Sequence, residues 1–220
     1  MARKKGLDLP NAIYYVQLNS SARKDLFQGP EDYRQFTPLL EEMHKTLGGK
    51  TIAWCLLKNS IHLILQSGSG GIIEAANHLK SAHKQQSQGE RAGALFSTTN
   101  HCTLIEPGVY LLDSLRKLHR LPLSTRLVPE LTIYPWSSHM DYLEGSGPAF
   151  LDSEAVLNRI ANQRAGRRRR YENFMRADDP SDFDWLVGTH PQYRALASED
   201  YVKEFLHHQG NDGDHTQPQP

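Results

Sequence analysis

Ala53-Trp54-Cys55-Leu56-Leu57-Lys58-Asn59-Ser60-Ile61-His62-Leu63-Ile64-Leu65 reads as two β-strands joined by a short polar break at Lys58-Asn59. Both halves are rich in apolar and β-branched residues, which is the pattern of paired strands. Side chains alternate across a strand, so Ile61, Leu63 and Leu65 share one face, and Ser60, His62 and Ile64 share the other. Two histidines spaced two residues apart on such a strand would aim two imidazoles at one metal ion. Here His62 is present and Ser60 occupies the other place.

The flanking segments supply the rest of a domain. Ala12 to Leu18 predicts a strand. A helix is expected from Pro30, where proline, Glu31 and Asp32 suit a first turn. Phe36, Leu39, Leu40, Met43 and Leu47 form its apolar stripe, and Gly48-Gly49 ends it. A second helix carries Ile72, Ile73, Ala76, Leu79 and His83 on one side. Ala94 to Glu106 predicts a fourth strand. The order strand, helix, strand, strand, helix, strand implies an α+β fold with an antiparallel sheet in the ferredoxin-like split β-α-β layout. A third helix, Val109 to Leu118, buries Leu111, Leu115 and Leu118, and Tyr110, Ser114, Lys117 and Leu121 form another line on it. Pro122 lies just past its end. Residues 126–139 read as an ordered loop in which Trp136 packs in the core.

Residues 1–144 are expected to form the main domain and 145–206 a basic helical extension. A disordered tail is expected at 207–220, which lacks an apolar cluster and ends in a Gln-Pro repeat. The chain has 220 residues with 25 Lys+Arg and 25 Asp+Glu, so net charge makes no case for a polyanionic partner. The distribution does. Arg3, Lys4 and Lys5 lie together, and Arg167, Arg168, Arg169 and Arg170 form a run that Asp178, Asp179, Asp182 and Asp184 balance further on. Cys55 and Cys102 make no metal or redox motif, which fits a reducing cytoplasm. No apolar run reaches about 18 residues, so no membrane span is expected. The glycines of 67–71 do not follow a phosphate-loop pattern.

Several of these segments together resemble the REP-associated tyrosine transposases, relatives of the single-tyrosine HUH transposases. They are Pro10 to Val16, Ala53 to Leu56 with Asn59 to Leu63, Tyr110-Leu111-Leu112, Pro122, Leu127-Val128 and Tyr134-Pro135-Trp136-Ser137-Ser138-His139. The resemblance covers residues 2–176. It implies a ferredoxin-like scaffold that binds single-stranded or hairpin DNA. In active members of that family, two strand histidines and a helix asparagine hold Mg²⁺ or Mn²⁺, and a helix tyrosine attacks the scissile phosphate. Aligned on Pro122, this chain has Lys117 at the tyrosine position, Leu121 at the asparagine and Ser60 at the first histidine. Only His62 matches, so no metal site and no catalytic residue are expected.

Losing the metal removes several kcal/mol of transition-state stabilisation, and each ~1.4 kcal/mol is tenfold in rate. The resulting expectation is a DNA-binding protein of transposase descent that does not cleave and needs no cofactor, Mg²⁺ or Mn²⁺ entering only if it is active. Arg3, Lys4, Lys5, Lys117 and Arg167 to Arg170 are the candidate phosphate contacts. Lys117 reads equally as a solvated helix residue. Two rival readings stay open: an active nickase using Tyr110 as a relocated nucleophile with His62, and a protein-interaction module that has lost DNA. Oligomeric state is left open by the sequence.

Overall fold

The computed structural model describes residues 4–21, 24–87, 95–160, 165–177 and 183–211. The hairpin at its centre pairs β2 (Lys50–Leu57) with β3 (Ser60–Gln66), and Cys55 stands opposite His62. β1 (Ile13–Asn19) adds to the other edge of β3 and sets Gln17 opposite His62 and Tyr15 opposite Ile64. β4 (His101–Ile105) continues antiparallel on β1. The first four strands therefore lie in the order β2-β3-β1-β4, as the sequence predicts for a split β-α-β sheet. A fifth strand, β5 (Ala195–Leu196), joins β4 in parallel.

α1 (Pro30–Leu47) and α2 (Gly71–Gln86) make the two crossovers and lie on one face of the sheet. They cover Tyr14, Val16, Leu18, Ile61, Leu63 and Leu65. The return from α1 into β2 runs so close to β3 that a Cβ at Gly49 would sit 2.4 Å from the Gln66 carbonyl oxygen. Gly49 also has a φ of +86°, so a side chain is excluded on both counts.

The other face is covered too. α3 (Leu111–His119) packs across β2 and β3. It is followed by a short turn of helix, α4 (Leu121–Ser124), then α5 (His139–Glu144), α6 (Glu154–Ile160) and α7 (Arg167–Arg176). Leu115, Tyr142, Val156, Leu157, Tyr171 and Met175 meet Tyr15, Cys55 and Ile64 in a second core. An antiparallel sheet can leave one face to water. This one leaves neither, which explains why β2 is buried at seven successive positions after Lys50. A β-bulge between Thr51 and Ala53 brings Ile52 onto the same side as Ala53.

α8 (Glu199–Asn211) closes the described chain, with Val202 buried in the first core and Tyr201 and Phe205 packed on it. The expected tail at 207–220 is thus corrected at its start, because the helix carries on to Asn211. Its first turn is acidic, and Lys203 pairs with Glu199 one turn on. Residues 212–220 lie outside the described ones. No described helix is long and apolar enough to cross a membrane.

Candidate functional site

The site grows from β3. Ser60 and His62 face the second core, and both are buried. Ser60 Oγ lies 2.8 Å from His62 Nε2, and the Tyr15 hydroxyl lies 2.5 Å from His62 Nδ1. A neutral imidazole has one donor and one acceptor nitrogen, so these two hydroxyls use both. Burial pushes the His62 pKa down to about 3 and holds the Tyr15 phenol well above its ordinary value. The three side chains form a neutral, satisfied polar string inside an apolar layer.

A segment from the far end of the chain lies on this string. Trp185 stacks on Tyr15 with ring centroids 4.1 Å apart, and its carbonyl accepts a hydrogen bond from Thr103 Oγ1. Phe183 packs 6.5 Å from Trp185 and edge-on to Tyr110 at 5.9 Å. The ammonium of Lys117 sits 4.9 Å from the Phe183 ring centre, a cation-π contact. The segment is held from behind. Gly188, at φ +67°, approaches so near to Ala195 that a Cβ would lie 2.4 Å from its carbonyl oxygen. Thr189 and His190 both donate backbone hydrogen bonds to that oxygen.

Ser60 and His62 are therefore linked to Lys117 through the rings of Tyr15, Trp185 and Phe183. Leu121 starts α4 and packs against the second core. Tyr110 caps the start of α3, its ring against Phe183 and its hydroxyl accepting from Thr189 Oγ1 at 3.4 Å. This donor set does not fit a divalent cation. His62 has no free lone pair, the serine is spent on His62, and the third position is aliphatic. No cluster of three or more His, Cys, Asp or Glu side chains suited to a metal occurs among the described residues.

The basic residues divide into two groups. Lys5 pairs its backbone with Gln192 and Arg194, and Lys4 Nζ donates to the Gly188 carbonyl at 3.1 Å, so this arm lies along the covering segment. Arg3 falls outside the described residues. On α7, Arg167 is held by both oxygens of Glu154 at 2.8 Å and by Asn158. Arg168 pairs with Glu172 at 3.3 Å. Arg169 and Arg170 are exposed and make no ion pair among the described residues.

A second polar chain lies under α7 that the sequence does not suggest. The Tyr171 hydroxyl bridges His139 Nδ1 and His119 Nδ1, each at 2.8 Å. His119 Nε2 continues to Ser138 Oγ at 2.8 Å, and Ser138 closes on the backbone of Trp54. Burial lowers the pKa of both histidines, that of His139 to about 4. Ser138 and His139 stand in the Tyr134 to His139 segment, and here they tie it to β2 and α7. Trp136 beside them stacks on Tyr33 at 4.7 Å.

Sheet order, crossovers and the covered polar face define a ferredoxin-like α+β protein. A solved structure of a REP-associated tyrosine transposase bound to a REP hairpin shares this fold, with a TM-score of 0.57 and 13% identity over 71% of this chain and 94% of that one. No family model matches the sequence, and no curated protein matches it.

Proposed function

We propose that this protein binds single-stranded or hairpin DNA and does not cut it. One observation carries the reading. The lone histidine on the strand where resembling enzymes hold their metal is bonded at both nitrogens, by Ser60 and Tyr15, beneath Trp185. Lys117 stands where those enzymes place a nucleophilic tyrosine. An ammonium attracts phosphate and offers no covalent route. The structural neighbour is bound to a hairpin, which supports nucleic acid as the ligand class. Exposed Arg169 and Arg170 would carry phosphate contacts, since Lys4 and Arg167 already serve the fold and Arg168 pairs with Glu172.

The test pairs two measurements on labelled hairpin oligonucleotides. Binding should weaken as salt rises, because each neutralised phosphate releases counterions. Incubation with Mg²⁺ or Mn²⁺ should leave the strand whole and give no covalent protein-DNA band. Metal-dependent strand breaks would overturn the non-cleaving reading, and Tyr110→Phe would then report whether Tyr110 is the nucleophile. The absence of salt-sensitive binding to any oligonucleotide would replace DNA with a protein partner.

A further inference from the structure

A groove of about 390 Å³ lies between α7 and the loop of residues 129–132, away from the Ser60–His62 string. That is within the range of about 300–1,000 Å³ usual for small-ligand sites. Its deep side is made by His139, Leu143 and Met175, all buried. Arg120 and the exposed Arg176 line it together with Glu130 and Glu172. Glu172 is already balanced by Arg168, so the groove keeps two guanidinium groups against one remaining carboxylate, that of Glu130.

The polar groups inside are specific. His139 Nδ1 is fixed by Tyr171, while its Nε2 makes no hydrogen bond to protein among the described residues. The imidazole is kept neutral by burial. Met175 is unbranched and polarizable and conforms to a flat ring. Arg120 reaches across to α7, where it donates to the Ala177 carbonyl at 3.2 Å. Arginine on both sides of a partly apolar slot suits a planar ring with an attached phosphate.

We propose that this groove holds one unpaired nucleotide of a DNA strand. The base packs against Leu143 and Met175, and its phosphate lies between Arg120 and Arg176. The exposed Glu130 carboxylate at the rim accepts a hydrogen bond, which favours a base with an exocyclic amino group such as cytosine over thymine. The proposal deepens the DNA-binding reading and rests on it, and it places the contact outside the covered cleft.

The experiment uses the full chain and a hairpin with a single-stranded flank that carries 5-iodo-2′-deoxycytidine at one position after another. Ultraviolet cross-linking at one flank position should map to peptides spanning 129–143 or 171–176. The Arg120→Gln/Arg176→Gln variant should lose that cross-link. Its slope of log affinity against log salt should fall by about 0.7, the share of one single-strand phosphate. Binding with cross-links elsewhere, or equal affinity for a hairpin with no flank, overturns the groove while leaving DNA binding intact. If the hairpin does not bind at all, the DNA reading falls and free dCMP decides the groove. A shift of the His139 imidazole signals in the wild type but not in the variant keeps the nucleotide site, and no shift overturns it.

Discussion

The indole of Trp185 lies flat on the phenol ring of Tyr15, with centroids 4.1 Å apart and planes 14° from parallel. Tyr15 in turn holds His62, so a residue from the end of the fold seals the polar string at its centre. Trp185→Ala should cost about 1–2 kcal/mol, a stacked pair plus part of a tryptophan's burial. Urea unfolding would read this. The variant should still make no Mg²⁺-dependent cut, because Ser60 and Tyr15 keep both nitrogens of His62.

Stability should fall as the solution is acidified below about pH 6.5. His62 and His139 are held neutral, with folded pKa values of about 3 and about 4, while the unfolded chain protonates them near 6.5. The unfolded state thus binds more protons, and full stability is present only above the unfolded value. At pH 5 each histidine should have given up about 2 kcal/mol. His119 acts in the same direction. Asp141, raised to about 6 by burial, acts oppositely and offsets part of the loss. Thermal melts from pH 7.5 to pH 4.5 would show the decline. A flat profile would mean that these imidazoles are charged in the fold.

The arginine run on α7 should split by role. Arg167 grips Glu154 and Asn158 with a side chain only 13% exposed, so Arg167→Ala should cost about 1–2 kcal/mol of stability. Arg169→Ala/Arg170→Ala should leave the melt within about 0.5 kcal/mol, as exposed unpaired side chains do. It should weaken oligonucleotide binding and lower the salt slope by about 1 for each phosphate no longer neutralised. A double variant with a shifted melt and unchanged binding would reverse these assignments.

Tyr171→Phe removes one hydroxyl and strands two imidazole nitrogens, those of His119 and His139. Each buried polar group left without a partner costs about 1–3 kcal/mol, so a total of about 2–6 kcal/mol is expected by chemical denaturation. The phenyl ring keeps the volume, so a loss under 1 kcal/mol would show that water enters and replaces the hydroxyl.

What could be read in the sequence was local. The alternation around Lys58-Asn59 specifies the hairpin, and the order of strands and helices specifies β2-β3-β1-β4. β5 was not legible, because two residues pairing in parallel leave no periodic trace. Ser60 and His62 were placed on one face from strand alternation alone. Their real partners were hidden. Tyr15 belongs to a strand whose pairing fixes its side chain, but nothing in its neighbours marks it as a hydrogen-bond partner of His62. Phe183 and Trp185 sit at the end of the acidic run that reads only as a balance to the arginines, and tertiary closure brings them over β1. The His119–Tyr171–His139 bridge likewise joins three helices with no shared spacing.

The aromatic cover over His62 should keep a divalent cation out whatever residues line this face. Introducing the residues of the resembling enzymes alone should fail. In Ser60→His/Lys117→Tyr/Leu121→Asn, a second imidazole must fit where a serine hydroxyl now lies 2.8 Å from His62. Overpacking of this kind costs about 1–3 kcal/mol, and Tyr15 still occupies Nδ1 while Trp185 excludes the water that a hydrated cation brings. Calorimetric titration with Mn²⁺ should therefore give no heat of binding. Adding Phe183→Ala and Trp185→Ala opens the column between Lys117 and Tyr15 and should yield measurable Mn²⁺ binding in whatever fraction remains folded. Mn²⁺ binding by the triple variant with both aromatic residues in place would show that residue identity, and not the aromatic cover, sets the state of this face.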